Sequence, residues 1–209
     1  KAAVLYRKQA RFQLITTGKI SQKNLLFEEQ HLERLTKASR YFAYPFNPEE
    51  LRQKIEKECQ VCDANQDYRL RIILSKSGGI ELSRQILTPL SPSFCKTKLC
   101  LQEADLNQSF TYFKTTHRPH LSLGKQEIIY HNAAGELLET SIGNLVLKIN
   151  GKLYTPPIRL GILPGIYRQH LLETGQVEEK VLTVPDLDQA EAVYGCNAVR
   201  GLYELRIES

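Results

Sequence analysis

The segment Leu138-Glu139-Thr140-Ser141-Ile142-Gly143-Asn144-Leu145 sets one carboxylate among apolar and small residues. A charge in such surroundings must find a partner or bear a desolvation cost. A protonated pyridine nitrogen is one such partner, and keeping that nitrogen protonated turns an aromatic ring into an electron sink. An exposed glutamate at a strand end is the alternative reading of Glu139. Further on, Leu163-Pro164-Gly165-Ile166-Tyr167-Arg168 reads as a turn opening a helix. The first N–H groups of a helix point outward and carry the positive end of its dipole, which suits a phosphate. A plain Pro-Gly turn before an amphipathic helix fits the same residues.

Three further groups have chemistry to offer. Lys114 lies in Tyr112-Phe113-Lys114-Thr115-Thr116-His117-Arg118, at the end of an expected strand over 112–114. A lysine amine becomes a Schiff-base former when partial burial lowers its pKa, whereas most lysines are solvated surface charges. Arg34 sits in His31-Leu32-Glu33-Arg34-Leu35 on an expected helix; its planar fork suits a phosphate dianion, and a surface ion pair is the ordinary alternative. Gly195-Cys196-Asn197-Ala198-Val199-Arg200-Gly201 is a small-residue strand end where backbone can face a ligand, with Asn197 and Arg200 able to bind a carboxylate.

The elements that must position these groups are legible from spacing. Strands are expected over 11–17 and 68–75, the latter turning through Lys76-Ser77-Gly78-Gly79 into another strand that ends near Leu87. Between them, Leu32, Leu35 and Phe42 mark a helix over 28–42 stopped by Pro45. Asn47-Pro48 caps a second helix whose Leu51, Ile55, Cys59 and Cys62 share a face. A proline- and serine-rich break, Thr88-Pro89-Leu90-Ser91-Pro92-Ser93, then divides the chain into an N-terminal domain over 1–88, a linker over 89–97 and a C-terminal domain over 98–209. The second half is strand-rich, with runs at 98–102, 127–130, 137–139, 145–149, 152–154, 192–196 and 202–207. Asn150-Gly151 supplies a hairpin turn, and a helix runs from near Gly165 to Gly175.

Composition narrows the class. Of 209 residues, 42% are hydrophobic and 24% charged, as in a globular protein. No apolar run approaches the roughly 20 residues of a membrane helix, so no membrane association is expected. Five scattered cysteines fit thiols in a reducing compartment, and Cys59 and Cys62 lack two further ligands for zinc, so no metal is expected. The start has no apolar leader, and the cytoplasm is the expected location. The net charge of +5 would suit a small anionic substrate, but its basic residues are spread along the chain rather than massed in a nucleic-acid patch, and a solvated surface is the preferred reading.

Taken together, these motifs resemble the fold-type IV pyridoxal-phosphate enzymes of the class IV aminotransferase family, over most of the chain from Phe12 to Arg200. The resemblance implies an α+β fold of two domains, a small N-terminal α/β domain and a C-terminal β-barrel-like domain, with pyridoxal 5'-phosphate as cofactor. It implies Lys114 as the lysine that carries the cofactor, Glu139 at the pyridine nitrogen, Arg34 at the phosphate, and the N–H groups of Ile166, Tyr167 and Ala198 beside it, with Asn197 in the same strand end. Within the family, FKTTHRPH and CNAVRG are similar to the 4-amino-4-deoxychorismate lyases, and Thr17 in Leu14-Ile15-Thr16-Thr17 matches a threonine near the reacting carbon. Arg200, with Lys19 or His117, is then expected at the substrate carboxylates. The stretch between Lys114 and Glu139 is shorter than the family's usual one. Branched-chain or D-amino-acid aminotransfer, or a non-catalytic relative, are the alternatives. The resemblance further implies a homodimer, a place in folate biosynthesis and a functional link to aminodeoxychorismate synthase.

Overall fold

The computed structural model describes residues 12–102, 108–122 and 124–208. The chain forms two compact units: one comprises residues up to Thr88 together with Phe113–Arg118, the other Pro89–Tyr112 together with the chain from Pro119 on. The fold is α+β.

The first unit contains β1 (Leu14–Ser21), β2 (Asn24–Leu25), α1 (Glu28–Phe42), α2 (Pro48–Gln60), β3 (Tyr68–Leu74) and β4 (Ile80–Ile86). Its antiparallel sheet has the order β2-β1-β3-β4. Register pairs Leu14 with Leu74, Thr16 with Ile72 and Gly18 with Leu70. Side chains alternate across a strand, so these residues share one face. Helix α1 packs there, because a side chain at Gly18 would strike the His31 ring. Ile15, Thr17 and Lys19, paired with Ile73, Arg71 and Arg69, therefore share the opposite face. The sequence cues for the helices hold: Asn47 Oδ1 accepts the N–H groups of Glu49 and Glu50 at 3.1 and 3.4 Å, and Leu51, Ile55 and Cys59 are buried.

Strand β2 pairs with only the last two residues of β1, Ile20 and Ser21. The other end of that edge is filled by residues 114–116: Ile15 N–H donates to the Lys114 carbonyl at 3.0 Å, and Thr116 N–H donates to that of Gln13 at 2.9 Å. Unpaired strand backbone needs such a partner. The strand expected over 112–114 is corrected here. Tyr112 ends a short helix, α4 (Gln108–Tyr112), and the pairing falls one step later, at an isolated bridge between Leu14 and Thr115. Phe113 is committed to stacking on Tyr41, with ring centroids 4.6 Å apart, rather than to a sheet.

The second unit begins with α3 (Pro92–Cys95), capped by Ser91 where the linker is expected, and β5 (Lys96–Leu101). After α4 come β6 (Glu127–His131), β7 (Leu137–Thr140), β8 (Asn144–Ile149), β9 (Lys152–Thr155), α5 (Ile166–Glu173), β10 (Glu178–Glu179), α6 (Asp186–Gln189), β11 (Ala192–Asn197) and β12 (Gly201–Ile207). The strand order is β10-β9-β8-β11-β12-β5-β6-β7, and β7 also pairs with β8, which closes six strands, β5 to β8 with β11 and β12, into a barrel. Ile129, Leu137, Leu145, Leu147, Val193 and Leu205 form one core. Val146 and Cys196 point the other way and pack under Leu171 of α5. Strand β8 is thus buried on both faces along Leu145-Val146-Leu147, which explains that apolar run. The Asn150-Gly151 turn has φ of 50° and 75°, the left-handed conformation these residues tolerate.

Candidate active site

Within the first unit, the functional candidates gather around the stretch that completes the β1 edge. Lys114 is fixed through its backbone to Ile15. Its amine is desolvated, and the charges acting on it are all cations, Arg34, Arg118, Arg69 and Arg71; burial first, and these guanidinium groups next, hold its pKa well below the usual lysine value. Arg34 is lowered to about 10 by burial and then by Arg118. Both residues are half-buried.

His31 shares this neighbourhood. It is fully buried, and its Nδ1 lies 2.6 Å from Thr16 Oγ1 in a hydrogen bond. Burial, followed by the charges of Arg34 and Lys114, lowers its pKa to about 3, so the imidazole is neutral at pH 7. Thr17 is buried on the sheet face that also carries Arg71 and Arg69. Lys19 lies on that face as well, but its ammonium is engaged by Asp67 at 3.3 Å. His117 donates its backbone N–H to Thr115 Oγ1 at 3.2 Å, and Thr115 Oγ1 donates to its carbonyl at 2.7 Å.

In the second unit, Glu139 is buried rather than exposed at a strand end, and its Oε1 accepts the N–H of Leu163 at 3.4 Å. Asn144, its cross-strand partner, donates Nδ2–H to the Leu163 carbonyl at 2.8 Å. Both backbone groups of Leu163 are therefore held by the two residues that flank the β7–β8 turn. Two residues later Gly165 caps α5, offering no side chain to bond the helix N–H groups of Ile166 and Tyr167. On the β11–β12 turn, Asn197 Oδ1 accepts the N–H groups of Val199 and Arg200 at 3.0 and 2.9 Å, so its side chain shapes the turn that presents Ala198. Arg200 lines an open cavity of about 370 Å³ with Cys95, Tyr203 and Arg206, and burial lowers its pKa.

The structure thus brings Lys114, Arg34, Thr17, Lys19 and His117 into one unit, and Glu139, Ile166, Tyr167, Asn197, Ala198 and Arg200 into the other. Sequence reasoning passed over Arg69, Arg71 and Arg118. The Arg-x-Arg spacing in a strand places two guanidinium groups on one face, and that was the available signal. Asn144 was likewise passed over, although a buried amide must find partners.

Comparison with known proteins adds to this picture. Residues 13–206 match the family described as Amino-transferase class IV. The aminodeoxychorismate lyase of Saccharomyces cerevisiae is 28% identical, over 73% of this chain and 54% of the yeast protein, so the chain spans about half that relative's length. A Schizosaccharomyces pombe protein provisionally named for the same activity is 26% identical, over 81% of this chain and 79% of its own. A solved structure from Mesorhizobium loti, provisionally described as an amino-acid aminotransferase, superposes with a TM-score of 0.80 at 26% identity, covering 94% of this chain and 100% of that one.

Proposed function

The chain belongs to the class IV aminotransferase family, and within it we propose that it is a pyridoxal-phosphate-dependent 4-amino-4-deoxychorismate lyase, forming 4-aminobenzoate and pyruvate. The observation that carries this reading is the cluster of cations around Lys114. A group of cations of this kind creates a positive potential that favours anions beside it. A cofactor phosphate and a substrate with two carboxylates supply those anions. The names of the two fungal relatives support the lyase over the aminotransferase.

The residues present fit pyridoxal phosphate. Its phosphate suits Arg34 and a helix start whose N-cap is glycine. Its ring nitrogen suits the buried carboxylate of Glu139, and its aldehyde suits an amine whose pKa is held down, as that of Lys114 is. Bound there, the cofactor would supply an electron sink conjugated with the substrate's amine.

Around that group the chain's own residues have separable tasks. Arg34 would bind the phosphate together with the N–H groups of Ile166, Tyr167 and Ala198, and Asn197 would hold the turn that offers the last of these. Lys114 would hold the cofactor at rest and, during the reaction, would accept the proton from the amine-bearing carbon of the substrate. The neighbouring C–O bond then breaks, its electron pair leaves with the enolpyruvyl oxygen, and protonation gives pyruvate while the ring becomes aromatic. Thr17 would guide proton delivery. Arg200, with His117, would meet the substrate carboxylates, and Arg69, Arg71 and Arg118 would add positive potential. Because Lys19 is paired with Asp67, it is the weaker of the two partners considered for Arg200. The same reading includes a homodimer in the cytoplasm, supplying 4-aminobenzoate to folate biosynthesis beside aminodeoxychorismate synthase.

The test is to load the protein with pyridoxal phosphate and give it 4-amino-4-deoxychorismate generated in situ. Production of 4-aminobenzoate that is abolished in Lys114→Ala supports the reading. Undiminished production in Lys114→Ala removes it.

A further inference from the structure

Glu127 is a second buried carboxylate, one that the proposed chemistry does not use. It opens β6, is fully buried, and accepts the N–H of Ile142 on Oε1 at 3.1 Å. The hydroxyls of Thr140 and Tyr203 face the same carboxyl. Two glycines make room for Tyr203: a methyl group at Gly195 would lie 2.5 Å from its ring, and one at Gly143 would lie 3.0 Å from its hydroxyl. Such close fitting around one phenol marks a built contact.

Ile142 lies in the turn Thr140-Ser141-Ile142-Gly143 that joins β7 to β8. This turn is bonded within itself and to β6. Thr140 and Gly143 bond each other across it, Ser141 Oγ accepts Ile128 N–H of β6 at 3.0 Å, and Glu127 secures its tip. The turn's flanks are Glu139 and Asn144, which grip the two backbone groups of Leu163. Glu127 is therefore bonded to the tip of the turn whose next residue back along β7 is Glu139, the carboxylate assigned to the cofactor's ring nitrogen.

We propose that Glu127 is a positioning residue, which with Tyr203 fixes the 140–143 turn and so aims the Glu139 carboxylate at the ring nitrogen of the cofactor. The inference rests on the reading of Glu139 given above. Burial raises the Glu127 pKa, and its Oε1 is the acceptor that holds the Ile142 N–H. Gln keeps an acceptor for the Ile142 N–H; Leu does not.

The test compares the affinity of the apoprotein for pyridoxal phosphate with that for its 1-deaza analogue, which lacks the ring nitrogen, in equilibrium dialysis. In the wild-type chain, the preference for the natural cofactor measures the nitrogen contact. Glu127→Leu is expected to reduce that preference at least tenfold, Tyr203→Phe to reduce it more mildly, and Glu127→Gln to restore it. In a Glu139→Gln background, Glu127→Leu should change the preference no further, as expected of two residues acting through one contact. Equal loss of affinity for both compounds in Glu127→Leu and Tyr203→Phe, with Glu139→Gln still abolishing the preference, means a purely structural role and overturns the proposal alone. If Glu139→Gln leaves the preference intact, the assignment of Glu139 fails and takes the proposal with it. Should Glu127→Leu not fold, the Tyr203→Phe and Glu127→Gln pair decides the question.

Discussion

The side-chain amide of Asn144 fills the space that a side chain at Gly165 would need: a Cβ there would collide with Asn144 Oδ1. Gly165 has φ of −70°, a conformation open to any residue, so the glycine answers to this contact and not to its backbone angle. Gly165→Ala should therefore destabilise the chain by about 1–3 kcal/mol, the usual cost of overpacking, and weaken pyridoxal phosphate binding at the α5 N-terminus. Asn144→Ala should cost less in the Gly165→Ala background than in the wild type. Urea unfolding of the two single variants and the double variant checks this. Strict additivity would contradict it.

Lys114 should be the most reactive amine of the apoprotein near neutral pH. Its pKa is depressed by burial and by four guanidinium groups, so a larger share of it is unprotonated than of a surface lysine. Arg34→Gln removes the largest of the charge effects and should move the pH profile of Lys114 labelling upward. Amine labelling across pH, read residue by residue in a mass spectrometer, measures this. A profile that Arg34→Gln does not move would show that burial alone sets the value.

His31 should set part of the acid limit of stability. Its pKa is about 3 in the folded chain against an ordinary 6.5, so below pH 6.5 the unfolded chain binds a proton that the folded chain refuses. Stability is then complete above pH 6.5 and falls toward pH 3 by about 1.4 kcal/mol per unit. At pH 5 the loss is on the order of 2 kcal/mol relative to pH 8. His31→Gln should reduce this difference by about that amount in paired denaturant titrations, whatever its effect at pH 8. An unchanged difference would assign the acid sensitivity to other groups.

What was legible in the sequence was local. Asn47-Pro48 and Asn150-Gly151 form their cap and turn from neighbouring residues, and the structure has them where the spacing puts them. The helix over 28–42 keeps its expected bounds. The setting of Lys114 was not legible, because it depends on β2 being too short to cover the edge of β1, a fact about pairing 90 residues earlier in the chain. Nor was the convergence of Arg34, Arg69, Arg71 and Arg118, which sit on a helix, a strand and a loop and meet only once the sheet has formed. Glu139 was visible as a carboxylate out of place. Its grip on Leu163, and the support from Asn144 and Glu127, required the barrel to close.

The central claim is a lyase reaction, and the most direct measurement is the ratio of pyruvate to 4-aminobenzoate released from 4-amino-4-deoxychorismate by the loaded enzyme, with and without an added 2-oxo acid. The account predicts one pyruvate for each 4-aminobenzoate and no dependence on the oxo acid, since nothing is passed to an acceptor. Turnover that begins only when the oxo acid is supplied, with no pyruvate released from the substrate, would contradict it and make the chain an aminotransferase.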